Sequence, residues 1–257
     1  MGQITATFDK TIKEFVRQKT VLFWTIAWPI LWVLIGCFSF TGNMPEDVVA
    51  QIKGTVTISM TVFALMTAGM ANLPGNLAAD RERGLLTKLM SMPVKPWKDF
   101  AGRIFALLVF SLLALVSVVL VGYACGASLT YTIVEAGQSA AFLLAIFLAS
   151  AGIGMLIGTF IKHLHGAIMT GVGITVISSA ISGVMTPYSS LPEVLQQFSR
   201  IYPISSANSS IIYLLAGESY SGYNPLTVTQ STLTIVLSML LFIIGLIAYS
   251  KSCWTKD

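Results

Sequence analysis

The chain has 257 residues, 55% of them hydrophobic and 10% charged, with a mean hydropathy of +0.80; an ordinary soluble domain carries about 25% charged residues. A soluble fold of this size could not hide so much apolar surface. At about 20 residues per crossing, the length allows roughly six membrane spans and no separate globular domain. The net charge of +4 reads as membrane topology and not as a nucleic-acid footprint. Cys37, Cys125 and Cys253 lack Cys-x-x-Cys or Cys/His spacing, so neither a metal site nor a disulfide framework is indicated.

The first 20 residues form an arm in which Ile4, Phe8, Ile12 and Phe15 recur at helical spacing, with Asp9, Lys10, Lys13, Glu14 and Arg17 on the other face. This predicts an amphipathic helix in the membrane interface, the alternative being a solvated arm. The next apolar stretch, 21–40, has no A-x-A-like cleavage site after it and is expected to be retained as a first span, not removed as a signal peptide. Further apolar stretches run about 55–73, 104–124, 139–161, 166–186 and 229–249, and all six lack Asp, Glu, Lys and Arg. Each such residue at mid-membrane costs about 2.5–3.5 kcal/mol on the insertion scale. An all-α membrane protein of six transmembrane helices follows.

All of the 15 Lys and Arg except Lys53 and Arg200 fall on one side of this arrangement. By the positive-inside rule that side, with both termini, is cytoplasmic.

Between the second and third spans lies a loop, 79–96, on the basic side. Leu85, Leu86, Leu89 and Met90 line one face of a short helix, and residues 80–83 pack four charges into the turn before it. Such a stripe outside the membrane fits a partner's groove, with the charges setting register; a loop held on anionic lipid is the alternative. Between the fifth and sixth spans, 187–228 is too long for a simple connection and too interrupted for a span. Leu191, Val194, Leu195, Phe198, Ile201 and Tyr202 follow helical spacing between Pro192 and Pro203, and a second apolar run covers 207–215. Two short re-entrant helices would satisfy their backbone groups; an external cap is the alternative.

No phosphate-loop motif occurs, and Gly152, Gly154 and Gly158 sit inside an apolar span, where they suit close helix packing. His163 and His165 lack the carboxylate partners of zinc hydrolysis. Ionisable groups, which ion-coupled carriers keep near mid-membrane, are missing from the spans. These absences disfavour an intramembrane hydrolase and a self-powered carrier, and they place any energy input in the loops of the basic side.

In that loop the run Arg81-Glu82-Arg83-Gly84, the apolar 85–90 segment and Ser91-Met92-Pro93 resemble the membrane subunits of type-two ABC exporters. That family shows R-E-x-G, a short hydrophobic helix, then T/S-x-P or L-P, and includes drug-efflux and polysaccharide or teichoic-acid export permeases. Gly102-Arg103 opens the third span as in many relatives. Ser182-Gly183, Pro187, Leu191-Pro192 and Tyr202-Pro203 resemble the family's second series, which leads to short re-entrant helices. Thr87 stands where many relatives carry glutamate, and Tyr202 where many carry asparagine.

The resemblance implies a single permease domain over 1–257, without a nucleotide site or bound cofactor. It would act as a homodimer or heterodimer in the lipid of the cytoplasmic membrane, powered by a separate ABC-type ATPase subunit that binds Mg-ATP. It would export an amphipathic drug, lipid or lipid-linked molecule. Arg81, Glu82, Arg83, Gly84, Leu86, Leu89 and Pro93 would be the coupling contacts to that ATPase. Trp28 and Trp32 on the first span, Met66 and Met70 on the second, and Ser178 and Ser182 on the fifth would border the substrate path or dimer interface. Lipid-facing tryptophan and ordinary packing methionine are the alternative. A competing function with the same bundle is a non-transporting scaffold or immunity protein that sequesters a toxic peptide or lipid.

Overall fold

The computed structural model describes residues 2–39, 45–92, 95–129, 131–185 and 188–252. Among them the protein is all-helical, with six helices long and apolar enough to cross a membrane. Helix α1, Gln3–Arg17, is followed by the first span, α2, which is Lys19–Ser39 with a π-helical turn at Phe23–Ala27. The second span, α3, runs Glu46–Thr67, passes through a π-helical turn at Ala68–Asn72 and ends as Leu73–Glu82. A short α4, Leu85–Met90, leads to the third span, α5, Pro96–Ala124. The fourth and fifth spans are α6, Ile133–Phe160, and α7, Leu164–Ile181. Two shorter helices, α8 (Glu193–Ile201) and α9 (Pro203–Ala216), precede a turn at Glu218–Ser221 and the last span, α10, Val228–Ser252.

Local chemistry sets the helix ends. Pro96 and Pro203 open α5 and α9 at the first helical position, where a missing N–H costs nothing. Thr132 and Glu135 form a reciprocal capping box at the start of α6, with the Thr132 N–H donating to Glu135 Oε2 at 2.7 Å. Gly84 takes φ +66° in the turn that separates α3 from α4, a conformation that costs glycine little.

The ends of the second and third spans differ from the expected ones. Helix α3 continues through Ala79–Glu82, residues placed in a loop by composition, and α5 starts at Pro96. The helices therefore carry Asp80, Arg81, Glu82, Asp99 and Arg103; Arg103 pairs with Asp80 and Asp99, whereas Arg81 and Glu82 bond backbone groups at the ends of neighbouring helices. The two helices expected between the fifth and sixth spans are present, although the second begins at Pro203 and not at 207. Helix α9 is buried along nearly its whole length, whereas Val194, Phe198 and Ile201 of α8 are exposed.

The second span is the centre of the bundle, with 94% of its most apolar stretch buried against 17% for the last span. Small residues let backbones meet it closely. A Cβ on Gly154 would lie 1.9 Å from the Gly69 carbonyl oxygen, and one on Gly171 would lie 2.1 Å from that of Met70. Gly152 and Gly245 bring α6 and α10 together in the same way. Without a hydrophobic drive between helices in lipid, such contacts carry the association. Gly154→Ala is therefore expected to cost about 1–3 kcal/mol through overpacking. Gly173→Ala, which meets nothing within 4 Å, is expected to be neutral or to gain up to about 1 kcal/mol. The midpoint of thermal unfolding in detergent, followed by tryptophan fluorescence, checks both.

Candidate functional site

The helix ends sort onto two ends of the bundle. At one end, here the basic end, lie α1, α4, the close of α3, α6 and α10, and the start of α5 and α7. Their union rests on Arg103, a fully buried guanidinium two turns into α5. Its Nε donates to Asp99 Oδ2 at 2.8 Å, one turn earlier on the same helix. Its Nη1 donates to Asn76 Oδ1 at 2.6 Å, and its Nη2 lies 2.6 Å from Asp80 Oδ2, both residues being on α3.

The same carboxylates reach two further helices. Asp99 accepts from the Tyr249 hydroxyl of α10 at 2.6 Å and from Thr7 Oγ1 of α1 at 3.1 Å. Asp80 pairs with Lys10 of α1. Asn76 Nδ2 donates to Glu14 Oε2 of α1 at 2.6 Å, and Glu14 pairs with Arg83 at 2.9 Å. Lys10, Arg83 and Arg103 thus balance Glu14, Asp80 and Asp99, so the cluster carries no net charge. Helix α1 approaches closely because Gly102 faces it; a Cβ there would lie 2.7 Å from the Ile4 carbonyl oxygen. Phe15, buried, packs on Phe110 of α5 with ring centroids 5.3 Å apart.

The residues expected as coupling contacts stand at the edge of this cluster. Arg81 Nη1 donates to the Gly158 and Thr159 carbonyls at the end of α6, at 3.3 and 3.4 Å. Glu82 Oε1 accepts from the Leu164 N–H at the start of α7, at 2.8 Å, the favoured place for a carboxylate at a helix N-terminus. Arg81, Glu82 and Arg83 therefore bind three other parts of this chain: the fourth span, the fifth span and α1. Gly84 forms the turn. On α4, Leu86 is buried, Leu89 is half-buried, and Thr87 and Lys88 are exposed. Pro93 lies outside the described residues, as do Pro187 of the second motif series and Cys253.

The six residues expected along a substrate path do not converge on one site. Trp28 and Trp32 belong to a ladder with Trp24, with successive ring centroids 5.2 and 6.2 Å apart. Met66 and Met70 are fully buried in the core. Ser178 hydrogen-bonds the Tyr202 hydroxyl at 2.9 Å, and the Ser182 hydroxyl donates to the Ser178 carbonyl at 2.6 Å. Trp32 lines a cavity of about 580 Å³ at the far end between the first and second spans and the close of the fifth, with Met60, Thr55, Ser59 and Met185. A second cavity, of about 360 Å³, lies between the same three spans towards the basic end and is lined by Gln18, Trp24, Asn72 and His165 among others. Asn72 closes its floor by donating to Thr25 at 2.6 Å, which joins the two π-helical turns.

Sequence reasoning missed the Arg103 cluster. Two signals pointed to it: Asp99 and Arg103 stand four apart, as do Asn76 and Asp80, each pair on the continuation of an apolar helix. No signal marked the π-helical turns.

Residues 2–216 match the ABC-2 type transporter family. The chain belongs to that family. No curated protein matches it. As an ABC-2 type permease domain it is a multi-pass membrane protein with no ATPase of its own, of a kind that works with ABC ATPase partners. The matched region contains α1, the charge cluster up to Arg103, α4 and five of the six spans; α10, with Tyr249, follows it.

Arg103→Met is expected to destabilise the protein by about 3–5 kcal/mol, because two buried carboxylates lose their partner. The triple variant Asp80→Asn, Asp99→Asn, Arg103→Met removes the charges together and is expected to recover most of that loss. The fraction surviving a heating series as a monodisperse peak on size-exclusion chromatography reads both.

Proposed function

We propose that the chain is the membrane subunit of an ATP-driven exporter that moves an amphipathic drug, lipid or lipid-linked molecule across the cytoplasmic membrane. A separate ABC-type ATPase subunit binds Mg-ATP and supplies the energy, and two permease subunits, alike or related, form the pathway. The basic end faces the cytoplasm, with both termini. Three features support this orientation: the Lys and Arg distribution, the amphipathic α1 at that end as an interfacial helix, and the short α8 and α9 at the other end as re-entrant elements.

The observation that carries the reading is the neutral charge cluster in which one guanidinium binds α3 and α5 directly and α1 and α10 through its carboxylate partners. A push on α4 or α1 moves a body of four helices and not one loop. Arg81, Glu82, Arg83 and Gly84 form the joint, and Leu86, Leu89 and Pro93 with the rest of the loop form the lever. Arg81 and Glu82 pass the motion on to the fourth and fifth spans. On this reading the cavity beside Trp32, with Trp28 on the same face, borders the path that opens when the fifth span separates from the first. Ser178 holds the outer part of the fifth span to Tyr202, the Ser182 hydroxyl is bonded back to the Ser178 carbonyl, and Met66 and Met70 provide an adaptable core beside it.

Affinity purification in mild detergent tests the reading. An ATPase subunit is expected to accompany the wild-type chain and to be retained at least about tenfold less by Leu89→Glu, a loss of roughly 1.4 kcal/mol, with insertion unchanged. Glu82→Gln with Arg83→Gln is expected to keep the complex and to uncouple ATP hydrolysis from export. A folded, inserted wild-type chain that brings no ATPase overturns the reading in favour of the scaffold function.

A further inference from the structure

The cavity of about 360 Å³ towards the basic end lies apart from the one beside Trp32 and is built from the faces of three spans. His165, Ile168, Met169 and Val172 of the fifth span recur at i, i+3, i+4 and i+7 and so share one helix face. Val21 and Trp24 supply the wall from the first span. Gly75 closes the third side by letting the second span meet the fifth, since a Cβ there would lie 2.8 Å from Ile168 Cγ1. The floor is Asn72, the last residue of the π-helical turn Ala68–Asn72, and such turns are frequent at functional sites.

Asn72 stands ten positions before the close of the second span at Glu82, a depth of about 15 Å along the helix. It is 7% exposed, and its amide is half used. Nδ2 donates to Thr25 at 2.6 Å, whereas Oδ1 has no hydrogen-bond partner among the described residues. A buried polar atom ordinarily has a partner. An unpaired acceptor in the lining of an apolar cavity calls for a donor brought by a ligand. No Asp, Glu, Lys or Arg is among the described residues that line the cavity, so a charged head would be buried without a counter-charge, which is costly. A hydroxyl meets both conditions, because it is uncharged and can donate to Oδ1.

We propose that this cavity binds an uncharged amphiphile, an aliphatic chain bearing a hydroxyl group, with the hydroxyl donating to Asn72 Oδ1 and the chain lying along Trp24, Ile168 and Val172. The chain leaves past Met169, which is 67% exposed on the outside of the bundle. The occupant touches the first, second and fifth spans together, so it adds the fifth span to the tie that Asn72 and Thr25 make between the other two.

Photolabelling of the purified chain in lipid nanodiscs tests the proposal. A long-chain alcohol with a diazirine on its chain is photolysed with the protein, and labelled peptides are mapped by mass spectrometry. Saturable labelling is expected on residues 18–24, 68–75 and 165–172. Competition by 1-dodecanol is expected to be at least about tenfold stronger than by dodecyl methyl ether, which has the chain but no proton to donate. Dodecyltrimethylammonium and dodecanoate, with charged heads on the same chain, are expected to compete no better than the ether. Asn72→Leu keeps the bulk and removes the amide, and it is expected to abolish the preference for alcohol over ether, a readout that a merely structural role for Asn72 would not move. If that variant does not fold, Val172→Phe, which narrows the cavity, is expected to lose the saturable label. Equal competition by alcohol and ether on the wild-type chain overturns the proposal, as does a preference that survives Asn72→Leu or saturable labelling that survives Val172→Phe. The measurement needs neither an ATPase nor transport, so the site can fail while the export reading stands, and the reverse.

Discussion

A guanidinium with almost no exposed surface, placed two turns into a membrane helix, is tolerated only where partners surround it, because the low-dielectric interior makes an unpaired charge prohibitively costly. Arg103 has Asp80, Asp99 and Asn76 within 2.8 Å, and each of these is bound in turn to another helix. The arrangement is a constraint more than a source of stability, since the desolvation of buried ions offsets much of what their attraction returns. It fixes the register of four helices together: sliding any one of them by a turn would strand a buried charge. The basic end is therefore a unit. The far end is held differently: beside Arg200, which donates to the Tyr188 hydroxyl at 2.7 Å, neutral side chains bond one another, such as Thr234 on Ser206 at 2.7 Å and Gln230 on the same hydroxyl at 2.9 Å. Neutral bonds of that kind cost less to exchange.

The interior between the two ends is built on backbone contact. Gly69, Gly154 and Gly171 let the second, fourth and fifth spans touch at their carbonyls, and the π-helical turn at Ala68–Asn72 lies within this zone. A π-helical turn widens the helix locally and leaves a carbonyl without its usual partner. Here that turn is matched by the one at Phe23–Ala27 of the first span, and Asn72 bonds Thr25 across the pair. The first span is thus tied to the second at one level, and the cavities above and below this tie mark where the packing of these spans against the fifth is incomplete.

The spans were legible in the sequence because lipid leaves a helix one option, a run of apolar residues with its backbone bonded internally. Gly152, Gly154 and Gly158 were legible for a related reason: only close packing explains glycine in such a run. The ends of the second and third spans were not. A rule that ends a span at its first charge cannot see that Asp80 and Arg103, 23 positions apart, neutralise each other in space. Trp32, Met66 and Ser178 were grouped by residue type, yet the structure puts Met66 in the core, Ser178 on Tyr202 and Trp32 on a cavity. An almost uniformly apolar helix has no periodicity to say which face turns inward. Segments such as α1 and the 81–83 run differ in that they mix charged and apolar residues and so declare their faces.

The 81–83 run also shows how a correctly located segment acquires a different role once its partners are known. Sequence reasoning assigned its charges to an external groove, but Arg81 caps the end of α6, Glu82 caps the start of α7 and Arg83 reaches Glu14. Their charges are largely spent within the chain, and what remains exposed beside them is Thr87 and Lys88 on α4, Met92 after it, and Trp97 at the start of α5, with Lys98 held over its ring; under the proposed function these are what a docking ATPase would meet. Under the proposed function this separates two tasks that one motif suggested together. Recognition falls to α4 and its flanks. Transmission falls to the three charges behind it, which join the close of α6, the start of α7 and helix α1.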